Sequence, residues 1–577
     1  MKRESLFKLI ILLMPFLVLL VLEGALRLFG YGHDLSVFKE DPARKGYLVL
    51  NPHASKRYFA NQKNATYGNA EPFTIKKKPG TLRLFVLGES TTIGYPYMNN
   101  GSFHRWLQYR LSQTYPERDF EIINLSLTAV NSFTVLEFGK TALEYEPDAV
   151  LVYTGHNEYY GAMGVAVTKG IGHSRMLARL LMKLRCLRLT QLIASATDQI
   201  SEMISGKKID LRENLMKRMT AEQQMAFGSE DYRAGLDQFR ANMDELAALT
   251  SARGVPLLIS NLVSNEKDLK PFISIPDKQN KSADTYYRSG IQLYQQANYK
   301  DAKKAFVQAK ELDALRFRAP EALNKIINDI AHAHKGVTLV DTRDLFEKHS
   351  VGGILGNETL LEHVHPNLPG YALLSEAFYQ ALKKIELLAN SPREMDFETL
   401  KKQIPITLVD SLKGEYEMMI LKEGWPFNIP MPAEDKREKT EEEKLAGALV
   451  VKQITWRDAM LRLQQHYAAA KDTAQMLRVA EALVLDDPLN AVYLDNAGKL
   501  SIALNLNEQA VRYLSKAFRM ENSFERARLL FVILLKMDKP AEALPYVAYA
   551  AAHNTSRFNL NALHAFVRQQ AEAEKKQ

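Results

Sequence analysis

The chain has 577 residues, which at roughly 150 per domain suits about three to four domains. Its composition, 46% hydrophobic, 25% charged and 9% aromatic, excludes a collagenous, wholly disordered or multi-span membrane protein. The formal charge of +8 is mild over this length, compatible with an anionic membrane or polysaccharide and no sign of a nucleic-acid partner, while the single cysteine, Cys186, excludes an intramolecular disulfide and a cysteine-built zinc site.

The N-terminus argues for export. Leu9 to Leu22 is an apolar run behind Lys2, Arg3 and Lys8. A bilayer span needs about 20 residues, and Leu6 to Phe29 reaches that length if Lys8 and Arg27 snorkel and Glu23 lies near an interface. Basic residues ahead of the run keep the N-terminus cytoplasmic and send the rest across. The expectation for residues 1–30 is therefore an uncleaved, single-pass anchor in the cell inner membrane, with the bulk of the chain periplasmic. The rival, a cleaved signal peptide, finds only Gly30-Tyr31-Gly32 as a small-x-small site, and late.

Residues 31–79 read as a polar, aromatic-dotted lead-in with little helical pattern, closed by Lys76-Lys77-Lys78-Pro79-Gly80. Five short aliphatic runs follow: Leu82–Leu87, Phe120–Leu125, Ala149–Tyr153, Pro256–Ser260 and Val337–Val340. Near-continuous apolar runs belong to strands buried on both faces, and helical stretches such as Phe103–Leu111 and Asp237–Ala252 lie between them. The alternation predicts an α/β domain over 80–390, a doubly wound, flavodoxin-like, five-stranded parallel sheet.

Two insertions lengthen it. At 165–230 a leucine-rich helix carries Arg175, Arg179, Lys183, Arg185 and Arg188. It is expected to pack on its own domain with a solvated basic face; the alternative is a helix lying on an anionic membrane. At 283–335 the chain has Tyr286, Gly290, Leu293, Ala302, Phe306 and Ala309 where a tetratricopeptide unit starting at Ala283 places its large, small and aromatic residues. One such unit cannot bury its face alone, so a helical hairpin packed on a neighbour is expected. Residues 391–456 form a helical, charged linker that includes Glu434–Lys444. Residues 457–577 carry a roughly 34-residue rhythm, with Ala497-Gly498, Ala510, Ala517, Ala543 and Ala550 at the small positions, and are expected to be tetratricopeptide-like repeats.

The chemistry-bearing residues sit after the strands. The first ends Leu87-Gly88-Glu89-Ser90, and a serine on a glycine turn at the carboxyl end of a parallel strand stands where α/β ligands bind. The third leads into Gly155-His156-Asn157, whose amide is suited to an oxyanion or to capping a loop. After the fifth comes Glu362-His363-Val364-His365. Glu362 and His365 are three apart, so carboxylate and imidazole can meet, His365 accepting a serine proton while Glu362 fixes its tautomer. Alternatively Glu362, His363 and His365 are three metal ligands, or the histidine is structural.

In this order Ser90, Asn157 and His365 make the chain resemble the SGNH (GDSL-like) hydrolase family. Its G-D-S motif is represented by Gly88-Glu89-Ser90, its G-x-N motif by Gly155-His156-Asn157, and its D-x-x-H motif by Glu362 to His365. The resemblance covers about 80–385. It implies Ser90 as nucleophile, His365 as proton carrier and Glu362 as its orienter. The oxyanion hole would be built from Ser90 N–H, Asn157 and the N–H of Ala129, which falls where the family has a glycine. A backbone donor survives that exchange if φ is negative. No metal and no organic cofactor are implied. Ser90, His365 and Glu362 are expected to converge at the sheet edge and His363 to point away. Arg318, at the tail of the second insertion, is a candidate contact for an anionic substrate group.

The function expected is a membrane-anchored serine esterase acting on a carboxylic ester or O-acylated substrate. The rivals are an acyl transferase acting on a cell-surface polysaccharide and a non-enzymatic scaffold with a vestigial hydrolase domain. The repeats suggest a protein partner in each case.

Overall fold

The computed structural model of the protein describes residues 3–167, 174–205, 215–220, 224–276, 282–433 and 435–574. By its internal contacts the chain divides into two compact units, one of residues 1–95, 120–389 and 421–430, the other of 96–119, 390–420 and 431–577.

The first unit is built on a parallel sheet. Its strands are β4 (Leu82–Gly88), β5 (Phe120–Asn124), β6 (Ala149–Tyr153), β7 (Leu257–Ser260) and β8 (Val337–Val340), in the order β5-β4-β6-β7-β8. Every residue of β4, β6 and β7 is buried, which is why these runs show no polar alternation. The order reverses at β4, which has β5 on one side and β6 on the other. In such sheets the crevice at the carboxyl ends of the strands flanking the reversal receives ligands. Ser90 follows β4 and Asn157 follows β6, so both stand at that point.

The lead-in has more structure than its pattern predicts. β1 (Phe38–Glu40), β2 (Tyr47–Leu50) and β3 (Phe73–Thr74) form a small antiparallel sheet. Strands of two to four residues are too short to show a period. Long-range contacts hold them. The fully buried Arg83 of β4 donates to Thr74 O (2.7 Å), Tyr145 O (2.7 Å) and Glu121 Oε2 (2.6 Å). Phe73 meets Phe38 and Phe85 edge to face at 4.9 and 5.4 Å.

The two insertions behave differently. Ala283–Gln295 and Tyr299–Leu312 form a helical hairpin, and Ala302 and Phe306 pack with Ile354 of the same unit. The insertion ends there: Glu321–Ala333 buries Leu323, Ile326, Ile327 and Ile330 and belongs to the helices that cover β7 and β8. The first insertion breaks into Arg175–Arg185 and Arg188–Ser205, and its polarity is the reverse of the expected one. Arg175 donates to Asn242 Oδ1 (2.9 Å) and to Glu245, Arg179 also reaches Glu245, and Arg185 donates to Tyr58 O (2.7 Å). The arginines face the protein and the leucines face out. Residues 168–173, 206–214 and 221–223 of this insertion lie outside the described residues.

The second unit is helical. Trp456–Ala469 pairs with Thr473–Asp486, Ala491–Ala503 with Asn507–Met520, and Phe524–Lys536 with Pro540–Ala552, before a last helix, Leu560–Glu574. Ala497, Ala510, Ala517, Ala543 and Ala550 are all buried, and a side chain at Gly498 would meet Leu514. Residues 391–456 contain the helices Phe397–Gln403, Leu408–Glu423 and Glu441–Val450, and Glu434 lies outside the described residues. Phe103–Thr114, which strand–helix alternation gives to the sheet domain, groups with this unit. Arg105 there donates to Leu485 O (2.8 Å) and Asn100 to Ala482 O (2.9 Å).

Candidate active site

Gly88 ends β4 because nothing larger fits: a β-carbon there would lie 2.1 Å from Thr92 Oγ1 and 2.2 Å from Tyr153 O. The chain turns at Glu89 and starts the short helix Ser90–Ile93. Thr92 Oγ1 donates to Tyr153 O (2.6 Å), and Asn124 Nδ2, from the end of β5, donates to Thr92 O (2.8 Å). The turn carrying Ser90 is thus tied to both flanking strands.

His365 comes from a tight loop in which Leu361 N–H donates to His365 O (2.8 Å). The loop folds around the buried Glu362 carboxylate, which accepts from the N–H groups of His363 (2.6 Å) and His365 (2.9 Å). His365 Nδ1 bonds Glu362 Oε1, and His365 Nε2 lies 2.9 Å from Ser90 Oγ, across 275 positions of sequence. Ser90, His365 and Glu362 are therefore brought together. The ring of His365 is flanked edge-on by Tyr95 at 4.9 Å, and Tyr371 Oη donates to Tyr95 O (2.7 Å) to fix that neighbour. Burial pushes the His365 imidazole down to about 3. Its neutral form, the one that accepts a proton, is the form favoured here.

His363 does not point away. It is buried, its Nδ1 touches Glu362 Oε2, and its ring lies 5.6 Å from that of His365. A tight loop around one carboxylate brings both imidazoles to it. The ligand atoms of Glu362, His363 and His365 lie within 4.8 Å of one another, as the metal alternative requires. What favours proton transfer is His365 Nε2, which is turned to the Ser90 hydroxyl.

Asn157 is half-buried after β6. Its backbone N–H donates to Glu89 Oε2 (2.9 Å), while Glu89 Oε1 accepts from Gly155 N–H (2.9 Å) and Thr154 Oγ1 (2.7 Å). Glu89 is thus the device that sets the Asn157 loop beside Ser90, a role sequence reasoning missed. The signal was there, a carboxylate at a buried strand end. Burial raises its carboxyl to about 7. Ala129 has φ 56, so the condition of a negative φ is not met; the position has the left-handed backbone that glycine favours. Ala129 O accepts from Ala162 N–H (2.8 Å), which holds the turn. Among the described residues no protein acceptor takes the N–H of Ser90, the N–H of Ala129 or the Asn157 amide.

Arg318 is accounted for without a substrate. It is buried, donates to Asp313 (3.0 Å) and Asn265 O (3.0 Å), and Asn265 N–H in turn donates to His363 O (2.9 Å). It braces the histidine loop from behind, which corrects the expectation of a charge held out at the mouth.

Residues 86–373 match the model of the GDSL-like Lipase/Acylhydrolase family. Similar solved structures include a GDSL-like lipase from Bacteroides thetaiotaomicron (11% identity, 52% of this chain and 88% of that one, TM-score 0.26). Others are a lipase/acylhydrolase from Enterococcus faecalis (12%, 53% and 96%, 0.26) and an acetylxylan esterase from Geobacillus stearothermophilus (13%, 54% and 96%, 0.26). No curated protein matches the chain.

Proposed function

The chain carries a GDSL-like lipase/acylhydrolase domain over residues 86–373, and from that premise we propose that it hydrolyses carboxylic esters with Ser90 as nucleophile. The observation that carries the reading is the relay from Ser90 Oγ through His365 to Glu362, with 2.9 Å between Oγ and Nε2.

Ser90 Oγ attacks the acyl carbon as His365 Nε2 takes its proton, and Glu362 holds the opposite ring nitrogen and steadies the imidazolium. The charge that forms on the carbonyl oxygen falls to the N–H of Ser90, the N–H of Ala129 and the Asn157 amide, donors with no competing protein acceptor among the described residues. The alcohol leaves with the proton from His365. Water, deprotonated by the same imidazole, then releases the acid and restores Ser90.

Ile10–Leu28, an apolar helix with no buried residue, is read as a single span, with Lys2, Arg3 and Lys8 holding the N-terminus on the cytoplasmic side and placing the catalytic domain in the periplasm. The C-terminal hairpins are read as tetratricopeptide-like repeats that receive a protein partner.

The full-length protein, presented with acyl esters and O-acetylated glycans, is expected to release free acid. Acyl appearing on an added glycan acceptor in place of free acid would make it a transferase, and no turnover of any ester would defeat the reading.

A further inference from the structure

We propose that the helix pair Arg175–Arg185 and Arg188–Ser205 docks on the lipid bilayer beside the N-terminal span, seating the catalytic unit against the membrane surface; the proposal rests on the reading of Ile10–Leu28 as that span.

The first observation is the inverted polarity of the pair. In Arg175–Arg185 the arginines turn inward: Arg175 and Arg179 share Glu245, and Arg185 donates to Tyr58 O (2.7 Å). Ala178 and Met182 are buried. What remains outside is apolar: Met176 is 82% exposed, Leu180 51%, with Leu177, Leu184 and Leu187 on the same side. The ridge continues on the second helix, where Ile193 is 54% exposed, Ile200 54% and Met203 84%. A soluble surface helix is built the other way round, with its leucines in and its arginines out.

The second observation identifies the occupant. The Glu23 carboxylate, near the end of the apolar helix, accepts from the N–H groups of Arg188 (3.0 Å) and Leu189 (2.8 Å), the first residues of the second helix. His33 N–H donates to Gln191 Oε1 (2.9 Å), and Gln191 Nε2 returns a bond to His33 O (3.1 Å). These four bonds fix the ridge to the foot of the span, so its apolar side chains continue an apolar surface that lipid already covers. Lys183, exposed beside it, is long enough to reach phosphate headgroups while its stem stays in the apolar layer. An amphipathic helix so placed sinks its apolar side about 5–10 Å into the headgroup–acyl boundary. The consequence for function is that ester bonds at or near the membrane surface, in lipids or in membrane-attached glycans, are the ones the catalytic unit meets.

The test uses the full chain with Cys186→Ser, reconstituted in phosphatidylethanolamine–phosphatidylglycerol liposomes and spin-labelled singly at Leu17→Cys, Leu180→Cys, Ile193→Cys or the solvent-facing Lys304→Cys. Circular dichroism and a monodisperse elution profile establish that each variant is folded. Accessibility to oxygen, which partitions into lipid, is compared with accessibility to a water-soluble nickel chelate. Docking predicts that the oxygen-to-nickel ratio at Leu180 and Ile193 rises several-fold above that at Lys304 and stays below that at Leu17. If Leu17 reads lipid while Leu180 and Ile193 read water, the docking proposal is overturned and the anchor stands. If Leu17 itself reads water, the span reading fails and the proposal with it. Labels at Leu180 and Ile193 shielded from both reagents and broadened by a second label would assign the ridge to another copy of the chain, against the proposal.

Discussion

Ala129 concentrates two demands on one residue. Its N–H is proposed as an oxyanion donor, and its φ of 56 puts an alanine in backbone space that costs an L-residue about 1–2 kcal/mol. Ala129→Gly should therefore raise unfolding stability by about 1 kcal/mol, read from denaturant unfolding, without loss of turnover; a variant less stable than wild type would contradict the strain. Asn157→Ala removes one donor and should cost roughly 10²–10³-fold in kcat at little cost in KM. Glu89 adds a pH signature. Its folded carboxyl titrates at about 7 against 4.5 for a free one, so its contribution to stability is full below 4.5 and is lost as pH rises through 7. Burial lowers His365 and His156 to about 3 from 6.5, with the opposite sign: their contribution is present above 6.5 and lost as pH falls toward 3. The difference in melting temperature between Glu89→Gln and wild type should therefore shift in favour of Glu89→Gln as pH rises from 4.5 to 7. Ser90, His365 and Glu362 were legible because three short motifs in order are far more specific than any one. The backbone angle of Ala129, the closeness of His363 and the pairing of Arg318 were not, because each depends on what the chain meets in space.

At the scale of elements, legibility followed length and burial. The five parallel strands announce themselves as unbroken aliphatic runs, and the hairpin at 283–312 through small residues set opposite aromatic ones. That hairpin can be tested at its tightest contact. A β-carbon on Gly290 would lie 2.8 Å from two ring carbons of Phe306, so Gly290→Val should destabilise by about 1–3 kcal/mol, seen as a lower urea midpoint at unchanged slope. An unchanged midpoint would mean that the two helices are not held this closely. The antiparallel sheet at the start of the first unit escaped notice because its strands, two to four residues long, are too short to show a period and are secured by Arg83 and Phe85 of the strand that follows the lead-in. The arginine-rich helix misled for a related reason: composition shows that it is amphipathic, but which face turns inward is decided by Glu245 and Tyr58, contributed from elsewhere.

At the scale of the whole molecule the division into units does not follow the sequence segments. The helix after the Ser90 turn, Phe103–Thr114, groups with the C-terminal helices because Arg105 within it donates to Leu485 O and Asn100 just before it to Ala482 O, whereas 421–430 groups with the sheet, where Trp425 meets Phe317 edge-on and Phe427 lies tilted against His363. Alternation of strand and helix reads neighbours in sequence and is blind to such exchanges. The site itself lies wholly within the first unit, so its chemistry is testable on the intact chain by a single reading. That reading is intact-protein mass after reaction with a fluorophosphonate, in wild type, Ser90→Ala and His365→Ala, alongside hydrolysis of an activated ester. One adduct, mapped to Ser90 in wild type and missing or greatly slowed in both variants, with ester turnover reduced on the order of 10⁶-fold in each, is the predicted result. Wild-type turnover in Ser90→Ala, or an adduct on any other residue, would contradict it.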